Sequence, residues 1–274
     1  MTQEETMPEL PEIWNLAQQM NQTLSGKTVA TVDVRQEKCL NLPPDLFQRG
    51  LENRTLGTTT AKGKWIFTQV PPDLNLLLNL GMGGLVLYLD PQKAMKPPRY
   101  RLKFGYSDRS ALVIDFSWFG YVHLVGSLAE HAITASLGPS PLEKDFTWDR
   151  FRQILAGRKS ILKSVLLDQH IISGIGNVYV QDILFRARLH PLRKIPSLDE
   201  GERQRLYQAI REELQNAADL GGLIYERDLY DQPGRFQQFQ VGYREGKPCP
   251  VCGSIIVKIR TGSTASYICP ACQT

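Results

Sequence analysis

Residues 249–272 read CPVCGSIIVKIRTGSTASYICPAC. Two C-x-x-C pairs, Cys249 with Cys252 and Cys269 with Cys272, stand sixteen residues apart. Thiolate pairs joined by a hairpin-length loop close a tetrahedral zinc site. Gly253, just after Cys252, suits the tight turn such a knuckle needs. Four protein sulfurs fill every coordination position, so the spacing predicts a structural zinc with no open position for catalysis. A ribbon of this size cannot fold on its own core, and zinc is expected to supply much of its stability. The fifth cysteine, Cys39, has no partner in sequence and is expected to be a buried or semi-buried thiol. This grouping is a metal pattern, not a disulfide framework, and it fits a reducing cytoplasm.

Upstream of the ribbon, helical periodicity dominates. Phe151, Ile154 and Leu155 mark one helix, 161–167 a second and 178–187 a third. The longest is expected over 197–220, with Ser197 and Glu200 as a capping box and Gly221 with Gly222 as its stop. Within QHIISGIGNVY (169–179), Gly174 and Gly176 lead into Asn177, which is expected to cap the next helix. A glycine-rich turn at a helix start is suited to phosphate. Basic residues on both sides, Arg158 and Lys159 before it and Arg186, Arg188, Arg193 and Lys194 after it, fit a phosphate-rich partner and equally a plain solvated basic face.

Further upstream, SLGPSPL (136–142) reads as a linker. Before it the chain turns to strands. Val32 and Val34 alternate with polar residues, and apolar runs follow at 66–70, 74–80, 85–89, 100–104 and 111–116, broken by Pro, Gly, Asp and Asn. Short strands at this spacing suggest a β-sandwich. A helix over 8–24 leads in, with Pro8 and Pro11 where a helix start tolerates them and Ile13, Leu16, Ala17 and Met20 at helical spacing. The basic stretch 96–103 is expected to be a solvated strand edge, the alternative being a face toward phosphate.

The 274 residues are 42% hydrophobic and 22% charged, which excludes a disordered, collagen-like or coiled-coil chain. The net charge of +4 permits a polyanionic partner without demanding one. The longest apolar stretch, 76–89, is broken by Asn79, Gly81, Gly83 and Gly84 and is too short for a membrane helix. The opening MTQEET is polar, so no signal peptide is expected. The expected functional start is Met7: methionine before proline is readily removed, leaving Pro8 with a secondary amine that is partly unprotonated near neutrality.

Taken in order, MPELPE (7–12), KGKW (62–65), LGMGG (80–84), SGIGNVYVQDILF (173–185) and the paired cysteines at the end are the motifs of one family. The chain resembles the formamidopyrimidine-DNA glycosylase / endonuclease VIII (Fpg/Nei) family over nearly everything from Met7 to Thr274. The resemblance implies a multi-domain α+β fold: a β-sandwich with a leading helix (7–135), a helical helix–two-turn–helix domain (142–240) and a zinc finger (245–274). It implies base excision repair: a glycosylase with AP-lyase activity on double-stranded DNA that carries a damaged base or an abasic site, held in the cleft between the domains. A monomer, free of membranes and associated with a bacterial nucleoid, is the corresponding expectation.

By the same resemblance, Pro8 is the nucleophile, Glu9 the neighbouring proton donor, and Lys64 a strand-borne lysine that contacts phosphate and assists catalysis. Met82 fills the gap left by the flipped base, Phe119 enters the duplex, Asn177 binds phosphate, and Lys159 lies in the basic run before that motif. Cys249, Cys252, Cys269 and Cys272 hold the zinc. Three positions depart from the family pattern. Thr264 stands where the finger carries an arginine, and Ser117 and Trp118 stand where a strand loop carries two. Threonine lacks both the charge and the fork of arginine. The departures favour β- over δ-elimination and a weak or altered opposite-base preference. They also motivate an alternative, a non-catalytic protein that binds damaged or abasic DNA.

Overall fold

The computed structural model describes residues 6–93 and 99–274. The chain forms two compact units. One comprises the chain up to Ser136 together with Leu220–Phe236, the other Leu137–Asp219 together with Gln237–Thr274.

The first unit opens with α1 (Leu10–Leu24), whose Leu10, Ile13, Leu16, Ala17, Met20 and Leu24 are buried on one face. The helix starts at Leu10 because Glu9 keeps extended backbone angles and acts as its N-cap. Two antiparallel four-stranded sheets follow. In the first, β1 (Val29–Val34), β6 (Leu102–Tyr106), β7 (Ala111–Asp115) and β5 (Leu85–Leu89) lie in the order β1-β6-β7-β5. In the second, β2 (Thr59–Lys62), β3 (Trp65–Val70), β4 (Leu74–Asn79) and β8 (Tyr121–Val125) lie in chain order. Their inward residues, among them Val32, Ile66, Leu76, Leu78, Val86, Phe104, Leu112 and Val122, join the buried face of α1 in one core.

Within the basic stretch 96–103, Lys103 departs from its expected place. Residues 94–98 lie outside the described ones. Lys103 lies on β6, an inner strand paired with Asp33 on one side and Val113 on the other, and so is no strand edge. The buried phase of β6 is Leu102, Phe104 and Tyr106, two residues later than the expected strand. A short helix, α2 (Pro44–Leu51), lies in a part of the chain for which the sequence carried no expectation; its Phe47 and Leu51 plug the core one helical turn apart. The single turn α3 (Ala132–Ala135) begins at His131, whose ring stacks edge-on to Trp65 and whose Nε2 lies 2.9 Å from Nδ1 of His123. His123 and His131 are thus packing groups, and burial holds the His123 imidazole down near pKa 4.

The second unit holds α4 (Trp148–Leu155), α5 (Leu162–Leu167), α6 (Tyr179–Arg186), α7 (Glu200–Asp219) and a hairpin, β9 (Val257–Thr261) with β10 (Thr264–Ile268). Phe146, Trp148, Phe151 and Tyr207 form an aromatic cluster between α4 and α7. Two caps differ from expectation. The capping box of α7 is Asp199 with Glu202: Glu202 N donates to Asp199 Oδ1 (2.7 Å) and Asp199 N to Glu202 Oε2 (2.9 Å). Ser197 closes a preceding 3₁₀ turn instead, donating to Lys194 O. Asn177 is not a side-chain cap either. Its Oδ1 accepts from Gln181 Nε2 one turn ahead (3.1 Å).

The middle domain expected at 142–240 is interrupted. Residues 220–236 leave the helical unit and pack with the sandwich. The cause is Leu229, fully buried in the sandwich core. Tyr88 N on the outer strand β5 donates to Leu229 O (2.9 Å), and the Gln19 amide of α1 binds both Leu229 N (2.9 Å) and Asp228 (2.8 Å).

Candidate functional site

Three carboxylates gather around the start of α1. Glu9 and Glu12 are 2% and 3% exposed, and Pro8 is buried beside them. Glu12 Oε2 accepts from Glu9 N (3.0 Å) and its Oε1 from Leu223 N (3.0 Å), so one side chain ties the helix start to the 220–236 segment. Gly222 makes this approach possible: its φ is +87°, and a Cβ there falls 2.7 Å from Glu12 Oε1. The third carboxylate, Glu226, is 3% exposed and accepts from Thr6 Oγ1 (2.8 Å). Burial, reinforced by the charges of Glu12 and Glu9, pushes its carboxyl up to about 8.

A chain of hydrogen bonds carries this cluster across to the expected lysine. Gly83 N donates to Thr6 O (2.9 Å). Asn79 Oδ1 accepts from Gly81 N (3.1 Å), and Asn79 Nδ2 donates to Lys64 O (2.9 Å). Lys64 sits in the two-residue turn between β2 and β3, whose first position is Gly63 at φ +58°. Met82 lies between Gly81 and Gly83. Its N donates to Trp118 O (2.8 Å), and Ser117 N donates to its O (2.8 Å). The 115–120 loop therefore rides on the Met82 turn. Gly81 must be glycine there, since a Cβ lies 2.1 Å from Trp118 O. Trp118 and Phe119 are each 67% exposed, and Phe119 holds a left-handed backbone at φ +59°.

In the second unit, Lys159 is exposed just after α4, and Asn177 sits in the first turn leading to α6. With its Oδ1 taken by Gln181, Asn177 keeps its amide NH₂ to donate, which is the polarity an anion requires. Lys163, on α5, is 1% exposed and donates to Thr264 Oγ1 (3.0 Å), Ala265 O (2.6 Å) and Ser266 Oγ (2.8 Å). Burial lowers its ammonium to about 8. Thr264 is thus bound to Lys163 and carries no charge of its own. The four sulfurs of Cys249, Cys252, Cys269 and Cys272 lie within 4.8 Å of one another. Bonds of about 2.3 Å to one tetrahedral zinc fit that spacing.

Three family models cover this architecture in chain order. The formamidopyrimidine-DNA glycosylase N-terminal domain matches residues 7–122, its H2TH domain 137–227, and the zinc finger found in FPG and IleRS 246–274. The chain belongs to the Fpg family. Formamidopyrimidine-DNA glycosylase of Heliobacterium modesticaldum is 35% identical, over 97% of this chain and 100% of that one. The Chloroflexus aurantiacus protein of the same name is 34% identical, over 97% and 98%. Among solved structures, MutM (Fpg) of Thermus thermophilus is 32% identical with a TM-score of 0.85, covering 97% of this chain and 98% of that one. Lactococcus lactis Fpg in complex with DNA containing N7-benzyl-Fapy-dG is 26% identical with a TM-score of 0.88, covering 97% and 99%. The Fpg-type finger with its four clustered cysteines carries a structural zinc.

Within this Fpg fold, the first unit brings Pro8 and Glu9 together with the Met82 turn, the Lys64 turn and the Phe119 loop. Lys159, Asn177 and the four cysteines belong to the second unit. Sequence reasoning did not single out Glu226, Lys163 or Arg101. Glu226 and Lys163 find their partners 220 and about 100 residues away in sequence, which no local spacing shows. Arg101 was hidden in a stretch read as solvated.

Proposed function

We propose that this chain is a base-excision DNA glycosylase with AP-lyase activity, acting on double-stranded DNA at a damaged base or an abasic site. Membership of the Fpg family and the names of its relatives support the activity. The observation that carries the site assignment is the buried Pro8–Glu9 step at the head of α1, backed by Glu12 and Glu226. As an N-terminal residue, Pro8 offers a secondary amine. Its nitrogen attacks C1′, the C1′–N bond forms, and the bond to the damaged base breaks. Glu9 protonates O4′ as the sugar ring opens, leaving an iminium ion on Pro8. Loss of a C2′ proton then sends electrons into the iminium and expels the 3′ phosphate, which is β-elimination. Lys64 steadies a phosphate, Met82 and Phe119 occupy the space of the extruded base, and Asn177 and Lys159 hold the backbone.

Thr264 is uncharged and tied to Lys163 where the family carries an arginine, so β-elimination is expected to exceed δ. The bacterial origin of its relatives supports a cytoplasmic protein associated with the nucleoid. Borohydride trapping on abasic duplex DNA tests the chemistry, run side by side on protein beginning at Pro8 and on the 274-residue chain. The expected result is a covalent adduct from the first alone, because an acylated proline nitrogen cannot form an iminium. Binding without an adduct in either form favours the non-catalytic, abasic-site-binding reading.

A further inference from the structure

Beside the Trp118–Phe119 tip, the first unit contains a groove of about 740 Å³. Lys38, Arg99 and Arg101 line it with one carboxylate, Asp115, and Trp118 and Phe119 form its aromatic rim. Arg101 fixes that rim. It donates through Nε to Phe116 O and through Nη2 to Ser117 O (3.3 Å), pairs with Asp115 (3.4 Å), and lies over the Phe116 ring at 5.3 Å. Met82 N holds the next carbonyl, that of Trp118. All three loop carbonyls before the left-handed Phe119 are therefore bound, and the two rings are presented on a stiff support.

Resting on the glycosylase reading above, Met82 and Phe119 fill the space of the extruded base, which leaves Trp118, 67% exposed, on the rim of the groove. We propose that the groove is a nucleobase site, which takes the base opposite the lesion after that base has also left the stack. Trp118 is its stacking surface, Lys38 and Arg99 meet the adjoining phosphates, and Arg101 is a positioning residue that holds the indole in place. An indole face offers stacking without reading base edges, so the site accepts any of the four bases.

A double-mutant cycle tests this with the whole protein and duplexes bearing an uncleavable tetrahydrofuran abasic analogue. The strand opposite carries A, C, G or T, or a second analogue with no base. The expected result is that Trp118→Ala weakens binding about tenfold to all four base-bearing duplexes, the scale of one lost stack. Binding to the duplex with no opposite base is unchanged. Arg101→Lys, which keeps the charge but cannot span two carbonyls, reduces the same difference. An equal loss on both kinds of duplex makes Trp118 a simple wedge and overturns the proposal, as does no loss on either. No cleavage is involved, so a failure of the Pro8 chemistry leaves this readout intact. Failure to bind any abasic duplex overturns the repair reading together with this one.

Discussion

At the scale of single residues, the site depends on a glycine and on a carboxyl that stays protonated. Gly222→Ala puts a methyl group against Glu12 at a left-handed backbone position. The expected cost is about 1–2 kcal/mol from the backbone alone, read by denaturant unfolding. Activity is expected to fall further, because the displaced Glu12 no longer bridges Glu9 and Leu223. The folded pKa of Glu226, about 8, lies above the ordinary carboxylate value near 4.3, so folding favours the protonated form. Stability is full below about pH 4 and is lost as pH rises through 8. Glu226→Gln keeps an acceptor for Thr6 and removes the titration. The melting temperature of the wild type is expected to drop between pH 5 and 8 relative to that of the variant. Parallel pH profiles of the two proteins show the pH trend to be general.

At the scale of elements, the caps are the sharpest test. Asp199→Ala removes the side-chain acceptor at the head of α7 and is expected to cost about 1 kcal/mol, whereas Ser197→Ala costs less. Equal effects in urea unfolding would return the cap to Ser197. Lys163→Ala strips three donors from the β9–β10 hairpin, with an expected cost of about 1–3 kcal/mol. Faster zinc release to a chromogenic chelator is the readout. These elements also mark what the sequence made legible. The zinc ligands and α1 were plain, because their signals are local spacings. The Asp199 cap was missed because Ser197 with Glu200 has the same spacing as Asp199 with Glu202, and only packing decides between them. The α2 helix was missed because it is only two turns long, and the burial of Phe47 and Leu51 that holds it is a tertiary fact. The catalytic candidates Pro8, Glu9 and Lys64 were legible through family motifs. Glu226 and Arg101 were not, since their partners lie in other segments.

At the scale of the molecule, binding is expected to be strongly salt-dependent. Lys159→Ala is expected to lower the slope of log affinity against log salt by about 1, the signature of one lost phosphate contact, and to do so equally for damaged and undamaged duplexes. A titration at several salt concentrations checks it.

Leu229 gives the chain a particular order of assembly during synthesis. The last strand of the sandwich, β8, ends at Val125, but the residue that completes its core and covers the free backbone of β5 arrives about a hundred residues later. A ribosome adding about 5–20 residues per second leaves that strand edge open for roughly 5–20 s. During that interval the nascent sandwich presents Tyr88 N–H and an apolar socket to any extended segment nearby. The helical segment between Leu137 and Asp219 emerges within this window. Neither unit is a continuous stretch of the gene, so truncation after Ser136 is expected to yield a sandwich that self-associates.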